Sequence, residues 1–86
     1  MIGIYKITNK NNQKSYIGQS VHIETRWGEH CRPSTKSKIA EAIREFGRDN
    51  FIFEVLEECS IEELDIKEKY YISLYNTIEN GYNVAE

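Results

Sequence analysis

The chain has little of what marks an extracellular, fibrous or membrane protein. Its 86 residues include one proline and five glycines, too few for a flexible linker or a collagen-like repeat. There are only two cysteines, Cys31 and Cys59, 28 positions apart. With no basic-then-apolar leader after Met1, they are expected to be free thiols in a reducing compartment, placing the protein in the cytoplasm. No apolar run approaches the roughly 18 residues of a membrane span, so no membrane partner is expected. Low-complexity stretches, internal repeats and linkers are also missing, and residues 1–86 are expected to form a single domain. A chain this short buries only about 60 to 65% of its unfolded surface, so every buried polar group needs a reason.

A basic surplus is absent as well: the net charge is -3 and the sequence pI about 5.4. The charge is unevenly spread. Residues 1–48 carry nine Lys or Arg against four acids, and residues 49–86 carry two lysines against ten acids. One basic face on an acidic protein is therefore feasible, but strong autonomous binding to a polyanion is not expected.

What is present is a clear change of period along the chain. Ile2 to Thr8 and Ser15 to Gln19 read as strands, joined by the turn-forming Asn9-Lys10-Asn11-Asn12. A four-residue loop there pairs Thr8 with Gln13, Tyr5 with Tyr16 and Gly3 with Gly18. From Val21 the spacing becomes helical: Ile23, Arg26, Trp27 and His30 form one stripe that Pro33 ends. A second helix carries Ile39, Ala42, Ile43 and Phe46, with Ser37 as N-cap and Gly47 closing it in a left-handed conformation. Phe51 to Leu56 reads as a strand buried largely on both sides. Ser60 and Glu63 form a capping box for a last helix with Ile61, Leu64, Tyr71, Ile72 and Tyr75 inward, before a turn at Asn80-Gly81. The expected fold is α+β, a small three-stranded antiparallel sheet flanked by three helices in the order β-β-α-α-β-α.

Polar residues in core-facing slots carry the functional signal. Glu68 stands in the inward stripe of the last helix, where burial without a partner would cost several kcal/mol, so a cation or metal is expected beside it. Arg26 and His30 share the inward face of the first helix. On each hairpin strand a glycine lies two residues from a tyrosine, Gly3 with Tyr5 and Gly18 with Tyr16, leaving an open pleat beside a phenol. That hollow suits a phosphate or the end of an arginine. Each feature has a bland counterpart: tyrosine shielding a glycine, a buried ion pair, a core histidine. Together they are expensive for a small core and point to an active site.

These residues resemble the GIY-YIG endonuclease family. Gly3-Ile4-Tyr5 and Tyr16-Ile17-Gly18 are its two name motifs, separated by ten residues. The likeness continues through Gly18-Gln19-Ser20, Arg26 with His30, Gly47, Glu68 and the closing Gly81-Tyr82-Asn83. Arg26 four residues before His30, with the Gly-Tyr-Asn ending, is most similar to intron-type and phage homing endonucleases. The resemblance implies a DNA endonuclease of a bacterial or phage-infected cell, with one Mg²⁺ or Mn²⁺ ion on Glu68 and the scissile phosphate on Arg26. It implies Tyr5 as general base, Tyr16 as positioner of water or a phosphoryl oxygen, and His30 as proton relay or orienter of Tyr5. Gly18, Lys36, Lys38 and Asn83 become expected substrate contacts. Homing enzymes of this kind often carry a further histidine before the second helix; here Ser34, Thr35 and Lys36 stand there, so the duty of that histidine is either missing in this chain or passes to Lys36 or Lys38. A covalent phosphotyrosyl route through Tyr5 stays open at this level.

Two other readings compete. A zinc module of His22, His30, Cys31 and Cys59 lacks paired ligand spacing. An inactive family member that serves only as a binding module is disfavoured by the intact set of site residues. No helix-turn-helix or zinc finger is present to read bases, so target choice is expected to come from a separate DNA-binding domain, a partner or a dimer.

Overall fold

Apolar residues at alternate positions make Gly3–Asn9 (β1) the centre of a three-stranded antiparallel sheet, with Ser15–Ser20 (β2) on one side and Phe51–Glu58 (β3) on the other, order β2-β1-β3. This computed structural model describes residues 1–84. Ile23–His30 (α1) and Lys38–Phe46 (α2) cover one face of the sheet, packing Ile23, Ile39, Ala42 and Ile43 on Tyr5, Ile7 and Phe51. Leu64–Tyr75 (α3) covers the other, with Leu64 on Ile4 and Ile17. Fully buried Ile4, Ile7, Ile17, Ile23 and Ile39 each contribute about 1.5 to 3 kcal/mol of transfer free energy. The order of strands and α-helices is as expected, with one added α-helical turn, Thr77–Asn80 (α4), which starts after Asn76 ends α3 in a left-handed conformation.

Local signals explain the helix boundaries. The Ser37 side chain accepts from the Ala40 N–H, and Gly47 leaves α2 at φ 86°, ψ 141°, a positive-φ conformation that favours glycine but lies outside the left-handed helical well. Ser60 N–H donates to Glu63 Oε1 at 3.1 Å in the expected capping box, which opens a 3₁₀ turn, Ile61–Glu63, that runs into α3.

Besides the conformation of Gly47, four expectations are corrected. The hairpin loop has four residues, but they are Lys10 to Gln13, because Asn9 N–H still bonds Lys14 O at 2.9 Å. Asn9 stays in the ladder because its Oδ1 accepts the Asn11 N–H and its Nδ2 donates to Tyr82 Oη. The register is thus Thr8 with Ser15, Ile7 with Tyr16, Tyr5 with Gly18 and Gly3 with Ser20; the faces are as expected, the pairings are not. Second, β3 is not buried on both sides. It is an edge strand with Ile52 and Val55 exposed, and a bulge shifts its pairing with β1 between Ile4 and Tyr5. Third, Ile61 and Tyr75 are exposed rather than inward: Ile61 lies in the 3₁₀ turn, and Tyr75, at the end of α3, takes the Lys6 ammonium 4.0 Å from its ring centroid. Fourth, the open pleat beside Gly18 is not vacant, as the site makes clear.

The closing Gly81-Tyr82-Asn83 segment seals β2. Tyr82 N–H donates to Ser15 O at 2.9 Å, and the Asn83 side chain accepts from Ile17 N–H at 2.8 Å and donates to Ile17 O at 2.9 Å. Gly81 is extended, and it is glycine for want of space: a Cβ there would run into Ser15 O and the Thr77 backbone. No helix among the described residues is long and apolar enough to cross a membrane.

Candidate active site

Register places the first phenol. Tyr5 on β1 lies opposite Gly18, and its ring end fills the volume a side chain at Gly18 would take: a Cβ there would overlap Tyr5 Cζ and Oη and approach Tyr16 Cε2 to 2.9 Å. Gly18 therefore makes room for Tyr5 rather than for a phosphate or an arginine. Tyr5 is fully buried. Its Oη lies 2.8 Å from His30 Nε2, and its ring packs near Tyr16, Trp27 and His30, with centroids 6.2, 6.1 and 6.0 Å away. His30 is held edge-on against Tyr16 at 5.3 Å. Tyr16 is only half-buried and forms the outer rim of this aromatic group.

Electrostatics set the resting protonation. Burial and the neighbouring Tyr16 push the Tyr5 phenol well above its ordinary value, while the Arg26 guanidinium pulls it back. Tyr16 is raised for the same first reason, helped by Glu68. Burial and Arg26 lower His30 from 6.5 to about 4. At neutral pH the pair is therefore a phenol bonded to a neutral imidazole. His30 Nδ1 is buried without a hydrogen-bond partner, so Tyr5 is the polar contact of this ring.

Arg26 and Glu68 reach the same group from opposite faces. Arg26 projects from α1 half-exposed, pairs with Glu29 at 3.1 Å and acts on both phenols. Glu68, on α3 across the sheet, is half-buried and acts on both phenols around the β2 edge. The polar groups thus sit at the rim of an edge strand, not between packed layers, and Glu68 escapes the full cost of core burial. Its Oε1 accepts from Gln19 Nε2 at 3.2 Å.

An open groove of about 860 Å³ begins at Tyr16 and Glu68 and continues between α3, the start of α2 and the tail, lined by Lys36, Lys38, Lys69 and Asn83 among others. Lys36 and Lys38 are thus beside the rim. Asn83 borders the groove, and both ends of its amide are engaged by the Ile17 main chain, so it fixes β2. Sequence reasoning gave no site role to Asp65, to Lys69 or to Gln19, although Gln19 stood in the family-like Gly18-Gln19-Ser20. Lys69 follows Glu68 directly, and Asp65 precedes it by one helical turn; that spacing was the available signal.

Among the described residues no group of three or more His, Cys, Asp or Glu is placed to hold a metal. One carboxylate at an open rim nevertheless fits an ion that keeps most of its waters and shares substrate phosphate oxygens, as Mg²⁺ does. The two cysteines are free, and among the described residues no zinc cluster forms.

Two phenols, an imidazole, a guanidinium and a carboxylate on the edge of a small α+β sheet define a catalytic domain of the nuclease type. The chain belongs to the GIY-YIG catalytic-domain family, whose pattern matches residues 1–83. It is 34% identical over 90 residues to Intron-associated endonuclease 1 of Enterobacteria phage T4, covering 98% of this chain and 37% of that protein. It is also 34% identical over 83 residues to Probable intron-encoded endonuclease 1 of Neurospora crassa, covering 94% and 27%. The chain therefore spans about a third of the length of these curated relatives. The solved catalytic domain of homing endonuclease I-TevI superposes with a TM-score of 0.81 at 29% identity, covering 100% of both chains.

Proposed function

We propose that this domain hydrolyses phosphodiester bonds in DNA, using one divalent cation, Mg²⁺ or Mn²⁺, held by Glu68, as the cleavage module of a homing-type or phage nuclease. The observation that carries the reading is the Tyr5–His30 hydrogen bond of 2.8 Å, with Tyr16, Arg26 and Glu68 all acting on the same phenol. Arg26 leaves Glu29 and binds the scissile phosphate through its planar fork. A bound cation supplies the remaining positive charge needed to neutralise the phosphoryl oxygens. Tyr16 orients the attacking water from the rim. Tyr5 takes the proton of that water at Oη and passes its own to His30 Nε2, so no free phenolate builds up in a buried site, while the P–O bond to the leaving sugar oxygen breaks and that oxygen takes a proton from solvent at the open rim. Because Tyr5 is covered at rest, the rim of Tyr16 and Arg26 must rearrange as substrate arrives. Lys36 and Lys38 line the path of the neighbouring backbone, while Gly18 and Asn83 contribute through Tyr5 and β2.

Target choice belongs to a separate DNA-binding domain, a partner or a second copy. The acidic pI and the greater length of the relatives support this. The test is nicking of supercoiled plasmid in Mg²⁺ or Mn²⁺: activity lost in both Tyr5→Phe and Glu68→Ala is expected, and activity that survives both changes would refute the assignment.

A further inference from the structure

Glu68 is not oriented by α3 alone. Gln19, near the end of β2 and on the same face as Ile17, which α3 covers, donates from Nε2 to Asp65 Oδ1 at 2.8 Å and to Glu68 Oε1 at 3.2 Å. Asp65 and Glu68 are one turn apart on α3, so two carboxylates lie side by side under one amide. Like charges at that spacing repel, and an untethered Glu has up to about 2 kcal/mol of rotamer freedom to lose when ordered. A primary amide answers both problems: its two N–H groups serve one oxygen on each carboxylate, and being neutral it cancels neither charge. A lysine at the same place would compete with any cation. The strand carrying Gln19 is itself fixed, since Ile17, two residues earlier, is held at both main-chain groups by Asn83.

We propose that Gln19 is a positioning residue that presets Glu68 for its divalent cation, with Asp65 as the anchor of the amide and not as a ligand. The inference rests on the reading that Glu68 holds that cation. Outer partners of ligating carboxylates act in this way in established metal sites, where their loss weakens metal affinity more than it alters the metal's chemistry.

The test follows Mn²⁺ directly, through paramagnetic broadening of amide signals in the isotope-labelled chain, with thermal unfolding and metal-dependent nicking measured beside it. In the unaltered chain, broadening centres on residues 65–69 and disappears in Glu68→Ala. In Gln19→Ala, and in the length-preserving Gln19→Met, the half-broadening Mn²⁺ concentration rises about tenfold, whereas Asp65→Asn changes it less than about threefold. The melting temperature stays put, and saturating Mn²⁺ restores nicking by the Gln19 variants. Unchanged Mn²⁺ affinity in both Gln19 variants overturns the inference. So does a nicking defect that persists at saturating metal together with a lower melting temperature, which would make Gln19 only a tie between β2 and α3. Asp65→Asn matching Gln19→Ala would make Asp65 a ligand and also overturn it. No Glu68-dependent broadening in the unaltered chain would instead remove the cation reading, and this inference with it.

Discussion

Tyr5 occupies the space that Gly18 leaves empty, so the first motif's phenol is positioned by the second motif's glycine. A Cβ at Gly18 would overlap Tyr5 Cζ and Oη and press on Tyr16, against a ring packed on three aromatic neighbours. Gly18→Ala should therefore cost about 1 to 3 kcal/mol of stability through overpacking. It should also reduce nicking by about 100-fold, because it moves the phenol off His30 Nε2. Thermal unfolding and plasmid nicking of the variant check both parts; a stable variant with normal nicking would mean that Tyr5 tolerates displacement.

Removing only the Tyr5 hydroxyl separates chemistry from packing. Tyr5→Phe keeps the ring contacts with Tyr16 and Trp27 and loses the 2.8 Å bond to His30. The expected stability change is about 1 kcal/mol. The expected loss of cleavage rate at saturating DNA and metal is about 100-fold or more, the range for a positioned proton-transfer group. Stable protein–DNA adducts trapped after denaturation in the unaltered chain would instead make Tyr5 or Tyr16 a nucleophile.

His30 should leave a signature in the pH dependence of stability. Its value falls from 6.5 to about 4 on folding, so between those limits the unfolded chain binds the extra proton. Stability is then complete above about pH 6.5 and falls as pH drops toward 4, by about 2 to 3 kcal/mol from this group. Glu57 and Glu63, both lowered on folding, act in the same direction toward acid pH, so the comparison has to be with a variant. Denaturant unfolding from pH 7 to 4.5 should be steeper for the unaltered chain than for His30→Gln. Parallel curves would place a charged His30 in the fold.

Much of this was legible in the sequence, for physical reasons. The period changes from two to 3.6 at Val21, Ser37 and Ser60 have real capping partners, and ionisable residues in apolar stripes marked the site. The pairings were not legible, because an asparagine-rich turn does not say which asparagine stays in the ladder; Asn9 does so with its Nδ2 bonded to Tyr82, 73 residues away. Edge position was hidden too, since the apolar residues on both faces of β3 mimic a buried strand while Ile52 and Val55 lie open. Gln19 stood within the family-like Gly18-Gln19-Ser20, but its role was not legible there, because a polar residue near the end of a strand takes its significance from α3.

Asn83 distinguishes a clamp from a contact. Its amide makes two hydrogen bonds to the Ile17 main chain in a buried setting, so Asn83→Ala leaves a donor and an acceptor of β2 unpaired. The expected destabilisation is about 2 to 3 kcal/mol, with cleavage recovering on cooling as the fold recovers. A substrate ligand would behave otherwise, losing activity at every temperature with little change in melting.

Lys36 and Lys38 test the groove from the substrate's side. Both line it next to Tyr16 and Glu68, with their ammonium groups in an otherwise acidic chain. If the DNA backbone runs there, each contact releases counterions, and binding falls steeply with salt. Each alanine substitution should lower the slope of log affinity against log salt by about one and weaken binding at low salt regardless of sequence. The cleavage rate at saturating DNA should change little for Lys36→Ala. A lysine that had taken over the duty of the family's further histidine would behave differently: its loss would lower that rate while leaving the salt slope alone. Filter binding across a salt series, paired with single-turnover cleavage, separates the two roles for each residue.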